Sequence, residues 1–248
     1  MKLDFRLESW AAIAPGLESN EDWRQWLEAP YPIDVPLGKI PLEGVPAMLR
    51  RRFNTLGKCA MGATLQLVEG ITPISSIFAS RHGETELSFA LLEGIAKDEP
   101  MSPTRFSLAV HNAISGLYAI ARKDTSAVTA IAAMEGLVLQ AFFEALGQLQ
   151  SSGRVLCVIY EMPLAEFYSN HTAAEDEPFP YAIAMVLGNE GGAEYRLEQT
   201  GPGTLAEPSQ PGQLHAEALG LLRLLSGMSD EIVFPGPQTS WRIARVEA

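Results

Sequence analysis

Cysteine is nearly absent: the 248 residues contain only Cys59 and Cys157. Two thiols cannot build a disulfide framework, and a reducing cytoplasm is the expected compartment. Histidine is also scarce. The four are scattered at His82, His111, His171 and His215, so no metal site and no cofactor are predicted. No apolar run reaches the roughly 18–20 residues of a membrane span. Residues 1–8 mix both charge signs ahead of no apolar stretch, so no secretion signal is read there. Basic residues are outnumbered, 18 against 30 acidic, and the net charge of −12 argues against nucleic acid and anionic membrane surfaces. It also disfavours docking to a strongly acidic partner. The one dense basic cluster, Arg50–Arg52, reads as a solvated helix face or as ion-pair partners.

What is present is apolar residue, 47% of the chain, enough for a substantial core. Residues 3–14 alternate as a first strand. Residues 21–27 read as a short helix capped by Asn20. The Pro-rich stretch 29–46 is irregular, and 45–68 reads as one long helix. A short strand over 74–79 leads through Ser80–Glu84 into a helix from Thr85 to Lys97. Ser102 and Pro103 start a further helical region running to Arg122. Residues 154–160 and 181–187 are continuous apolar runs, read as strands buried on both faces. The stretch 171–180 between them is acidic and loop-like. Then come a strand over 194–200, a Gly/Pro loop over 201–212, a helix over 213–226 and a last strand over 241–246. Alternating strands and helices predict an α/β fold with a mainly parallel sheet.

Residues 125–147 raise the functional question. Val128–Ala132 reads as a strand running into a helix over 135–150, whose one polar stripe is Gln140, Glu144 and Gln148. Ligands of α/β proteins sit at the carboxyl ends of strands, and a helix N-terminus there favours a nucleophile or an oxyanion. Yet the turn offers only Ala132, Ala133, Met134, Glu135 and Gly136.

Four segments, in order, resemble one family. Residues 45–60 carry the triple-basic run. Residues 102–116 end in Asn112-x-x-x-Gly116, similar to the Asn-Met-Ala-Ala-Gly segment of β-ketoacyl synthases. Thr129–Gly136 falls where those synthases carry Thr-Ala-Cys-Ser-x-Gly, and 153–161 resembles the glycine and buried strand that close the same half. The chain resembles a free-standing β-ketoacyl synthase N-terminal domain, and more narrowly the short chain-length-factor-like proteins. The resemblance covers about residues 1–190. It implies half of a thiolase-like fold, a mixed, mostly parallel sheet with helices on both faces. Residues 1–248 are then one domain with a divergent extension over 190–248.

Counted back from Gly136, the family's cysteine position falls on Ala133, whose methyl group cannot form a thioester. Shifting the count reaches Ala132 or Met134, and neither can attack. The family's two assisting histidines lie in a C-terminal half that no segment here matches; residues 201–248 contain only His215. The resemblance therefore implies no independent condensing activity. The N–H groups at 134–136 would be free to hold a thioester carbonyl. Glu135 would face the helix dipole, and Glu135, Gly136, His111 and Asn112 are the candidate binding residues. Cys59 and Cys157 read as core thiols. Ser80, His82 and Glu84 read as a turn, because triad members converge from distant positions. His111 reads as packing, and His171 and His215 as exposed. The site pattern at 170–172 and the Gly201–Gly203 loop carry no function.

The resulting expectation is a non-catalytic, chain-length-factor-like subunit of an acyl-carrier-protein-dependent system making fatty-acid-like or polyene products. It would form a homodimer, or a heterodimer with a full-length β-ketoacyl synthase, with Thr129 and Ile131 near the dimer axis and an acyl carrier protein as a further partner. A stand-alone acyl-transfer enzyme and an acyl-chain binding protein stay open beside it.

Overall fold

The computed structural model of the chain describes residues 1–165, 167–168, 177–203 and 214–246. The 170–172 pattern, His171 and most of the 201–212 loop lie outside the described residues.

An eight-stranded mixed sheet organises the molecule. In chain order the strands are β1 (Lys2–Ile13), β2 (Ser75–Ala79), β3 (Val128–Ile131), β4 (Arg154–Glu161), β5 (Tyr181–Gly188), β6 (Ala193–Thr200), β7 (Glu231–Phe234) and β8 (Ser240–Arg245). Their spatial order is β3-β2-β4-β5-β1-β6-β8-β7. The helices are α1 (Asn20–Glu28), α2 (Ala47–Arg50), α3 (Thr55–Leu65), α4 (Thr85–Ala96), α5 (Pro103–Leu108), α6 (Ala113–Arg122), α7 (Leu137–Leu149) and α8 (Ala216–Leu225).

Strands β4 and β5 are buried at nearly every position because successive side chains feed two cores. Val155, Cys157, Ile159, Ile183 and Met185 enter one core with Trp23, Trp26, Phe142 and Leu221, from α1, α7 and α8. Leu156, Val158, Tyr160, Ala182 and Ala184 enter the other with Leu56, Ala60, Met61 and Leu117, from α3 and α6. Helices thus cover both faces, as expected.

The sheet is not mostly parallel. Only β2–β3 and β2–β4 are parallel. The β4–β5, β5–β1, β1–β6, β6–β8 and β8–β7 pairs are antiparallel. A strand covered on both faces is apolar throughout whichever way its neighbours run, so the sequence pattern carried no direction. Segments 193–200, 231–234 and 240–245 extend the same sheet, and β7 had no sequence counterpart.

Three helix boundaries also differ. Ser19, not Asn20, caps α1: its hydroxyl accepts the Asp22 N–H while the Asp22 carboxylate accepts the Ser19 N–H, a capping box. The long helix over 45–68 is broken, because Asn54 accepts the Gly57 N–H and starts α3 anew. The region from 102 to 122 splits into α5 and α6, leaving Phe106 and Val110 exposed rather than on a buried stripe.

Candidate functional site

Two strand-to-helix junctions lie side by side at the carboxyl ends of the parallel strands β2 and β3. The β3–α7 junction is the platform read in the sequence. Gly136 takes the left-handed conformation there, φ 68°, which glycine tolerates without the steric cost of a Cβ. Ala133 is half-buried and packs on the core, while Met134 and Glu135 are exposed. No nucleophilic side chain stands on the turn.

Two N–H groups at the start of α7 are taken by a carboxylate. Gly136 N–H donates to Glu217 Oε1 at 2.9 Å, and Val138 N–H donates to Glu217 Oε2 at 3.0 Å. Glu217 sits in the first turn of α8 and reaches back to fill the amide cradle. Of the N–H groups at 134–136 expected to be free, that of Gly136 is engaged, and the acid hydrogen-bonded at the helix N-terminus is Glu217, which the sequence reading did not name. Burial raises the Glu217 pKa, and the two backbone hydrogen bonds oppose the shift. Nothing in the local sequence marks Glu217, since an acid in a first helical turn is ordinary.

The β2–α4 junction is densely polar. Arg81 is buried between two buried carboxylates. Its guanidinium lies 2.6 Å from Glu177 and 3.8 Å from Glu161, and its backbone N–H also donates to Glu161. Tyr181 O–H donates to Glu177 at 3.1 Å, and the backbone N–H of His215 donates to the other Glu177 oxygen at 3.1 Å. His215 is therefore half-buried at the start of α8, not exposed as read. Burial pushes Glu161 up to about 8, with Arg81 opposing it and Glu177 adding to it. Ser80 accepts the Gly83 N–H at 2.8 Å, and Glu84 accepts from Asn54, so Ser80 and Glu84 turn to different partners. Burial pushes Glu84 up to about 7.

His111 ties the two junctions together. Its Nε2–H donates to the Ile131 carbonyl at 2.8 Å, and the same carbonyl accepts the Ser80 N–H at 3.1 Å. A Cβ on Gly83 would lie 2.9 Å from His111 Nδ1, so only glycine lets the two loops approach this closely. Asn112 is exposed, and its side chain makes no capping bond to α6. The structure brings Gly136 and His111 to the two junctions, while Asn112 and Glu135 stay at the surface. Arg81, Glu161 and Glu177 were missed; the available signal was a charged residue ending an otherwise apolar strand, as Glu161 does.

Strand β3 is the sheet edge. Thr129 Oγ1 accepts from Gln148 at 2.8 Å and donates to Glu144 at 3.2 Å, so most of the predicted polar stripe faces the strand. Ile131 packs partly on the core. Cys59 and Cys157 are fully buried, and burial pushes both thiols up to about 12, which leaves them unreactive. Among the described residues no group of three His, Cys, Asp or Glu is arranged to hold a metal, and no helix is long and apolar enough to cross a membrane.

A mixed sheet sandwiched by helices, with a strand-to-helix platform at the carboxyl end of a parallel edge strand, is the thiolase-like architecture. The sequence profile described as beta-ketoacyl synthase, N-terminal domain, matches residues 23–242, and the chain belongs to that family. A chain of the Xenorhabdus doucetiae complex of the ketosynthase ApeO with its chain length factor ApeC is 28% identical. That match covers 98% of this chain and 100% of the other, with a TM-score of 0.81. The ishigamide ketosynthase/chain length factor matches at 15% identity over 80% of this chain and 67% of its own, TM-score 0.63. A type II polyketide acyl-carrier-protein complex with its ketosynthase, AntDE:AntF, matches at 11% over 99% and 100%, TM-score 0.65. At these identities the last two show the fold alone. No curated protein sequence matches significantly.

Proposed function

We propose that this chain is a non-catalytic, chain-length-factor-like subunit that pairs with a full-length ketosynthase in an acyl-carrier-protein-dependent system, in the cytoplasm, making polyketide or polyene products. The observation that carries the reading is the β3–α7 platform: its turn, where the family count puts Ala133 in place of the cysteine, has no nucleophilic side chain, and Glu217 holds the N–H groups of Gly136 and Val138 at the start of α7. The end-to-end similarity to a chain of a ketosynthase–chain length factor complex supports it.

The surface fits a subunit that needs a partner. Strand β3 offers an unpaired edge, and such edges recruit strands from other chains. Helices α4 and α5 contain no buried residue, although α4 is largely apolar. Leu92, Ile95, Met101, Phe106 and Met134 are all about half exposed or more. Of these, Ile95 and Met101 line one shallow surface between α4 and α5, and exposed apolar side chains of this kind fit an interaction face. Thr129 and Ile131 lie on the edge strand that would pair across the interface.

Co-expression with a full-length ketosynthase from the same source, followed by purification through a tag on this chain and mass measurement, tests the reading. A stable one-to-one complex is the expected result. A clean homodimer that ignores the ketosynthase overturns the heterodimer, and condensing activity of the chain alone overturns the non-catalytic role.

A further inference from the structure

A second site of different chemistry lies on the other side of the β2–α4 junction. A cavity of about 190 Å³ opens between the α2–α3 turn, the start of α4, and α5 with α6. Arg51, Arg52 and Arg105 line it and are exposed, whereas Phe53, Ile114 and Leu117 form a buried apolar wall. In a chain of net charge −12, three cations around one cavity are unusual company. Elsewhere Arg6, Arg24, Arg81, Arg154, Arg196 and Arg242 are each ion-paired, while among the described residues Arg50, Arg122, Arg223 and Arg245 are not. Among the described residues Arg51, Arg52 and Arg105 have no such pair.

The one acid in the lining is Glu84. It is buried and accepts from Asn54, one acid against three arginines. Three guanidiniums with planar donor forks and no internal acceptor suit a tetrahedral oxyanion. The volume lies below the roughly 300–1,000 Å³ of ordinary ligand pockets, which excludes a nucleotide-sized ligand and admits a compact one.

We propose that this cavity binds the phosphoryl group of a small phosphate-bearing molecule, held by Arg51, Arg52 and Arg105, with its short apolar portion against Phe53, Ile114 and Leu117. The site does not depend on the accessory-subunit reading, because it is built from this chain alone and lies apart from the Ala133–Glu217 platform.

Glu84 makes the binding pH-dependent. The groups around it are Asn54 from the cap of α3, Tyr160 from β4, Glu86 on its own helix, His111 beside Gly83, and the three arginines of the rim. Its carboxyl is held up to about 7 by burial. Below that pH it is neutral and can donate a hydrogen bond to the oxyanion. Above it, it repels the oxyanion.

The test is isothermal titration of the purified full chain, at constant ionic strength in chloride, with inorganic phosphate, n-propyl phosphate and sulfate. Sulfate keeps its charge across the range and so reports the protein's own titration. Saturable binding with a Kd of about 1 mM or tighter is expected, tighter for the ester than for inorganic phosphate. Arg52→Gln and Arg105→Gln should each weaken it about tenfold or more, while Arg242→Gln, which lies in the β6–β8 ion-pair network, leaves it unchanged. Sulfate should bind several-fold more tightly at pH 6 than at pH 8, and Glu84→Gln should remove that difference. Absence of saturable binding overturns the proposal, as does wild-type affinity in both cavity variants. Equal binding of phosphate and the ester overturns the role of the apolar wall, and an unchanged pH dependence in Glu84→Gln overturns the role of Glu84.

Discussion

The two strand-to-helix junctions at the carboxyl end of the parallel strands are built alike and filled in opposite ways. After β2 the turn carries Ser80, Arg81 and Glu84, all buried; Arg81 and Glu84 bond to residues of other elements, and Ser80 accepts the Gly83 N–H of the turn itself. After β3 it carries Ala132, Ala133 and Met134, and its exposed amides are closed by one carboxylate borrowed from α8. The polar junction looks like machinery and the apolar one looks empty. Their partners reverse that impression. The charges after β2 are consumed by one another, whereas the turn after β3 takes its carboxylate, Glu217, from a distant helix. A perturbed, buried charge cluster is therefore a poor guide to chemistry when every member is internally satisfied.

Breaking the polar junction gives the largest effect. Arg81→Met leaves Glu177, 2.6 Å from the guanidinium, buried without its cation, and a broken buried pair costs about 3–5 kcal/mol. Urea unfolding of the two proteins at neutral pH measures the loss. A shift below about 1 kcal/mol would mean that the carboxylates are neutral at that pH and that the cluster is held by hydrogen bonds alone.

The same junction should make stability depend on pH. The folded-state pKa of Glu84 is raised from 4.5 to about 7 by burial. The native state then holds a proton that the unfolded chain gives up above about 4.5, so stability is greatest below that pH and declines as pH rises toward 7. At about 1.4 kcal/mol per pKa unit the total decline from this residue is on the order of 3 kcal/mol. Glu84→Gln should flatten that part of a stability curve taken between pH 5 and 8. A curve identical to the wild type would assign the slope elsewhere, first to Glu161, whose raised value of about 8 has the same sign.

The smallest effect sharpens the apolar junction. A thiol introduced by Ala133→Cys should titrate at a higher pH than a helix N-terminus normally imposes, because Glu217 holds the amides and adds a like charge. Adding Glu217→Gln should lower that thiol pKa by about half to one unit. The rate of alkylation against pH reads it out. An unchanged profile in the double variant would show that Glu217 does not govern the site.

The cores were legible because burial on both faces leaves long apolar runs, as in Arg154–Glu161 and Tyr181–Gly188, and because helical spacing marks α6 and α7. Helix breaks were partly legible: Asn54 is a strong capping residue, and it was passed over because the apolar spacing continues through it. The β3–α7 turn was legible only as a turn without a nucleophilic side chain. Ala133 could be counted from Gly136, but Glu217 could not, because it lies 81 residues beyond Gly136.

By itself the sequence determined the alternation of buried strands and helices, the two buried core thiols and the family. Those follow from residue chemistry and from periods of two and 3.6, which act over a few residues. Only the tertiary structure decided that most strand pairs run antiparallel, that Arg81 joins Glu161 and Glu177 from 80 and 96 residues away, and that α8 returns to close the amides of α7. Strand direction and side-chain partnership depend on which distant segments close on one another, and hydrophobic patterning records only that each segment is to be buried.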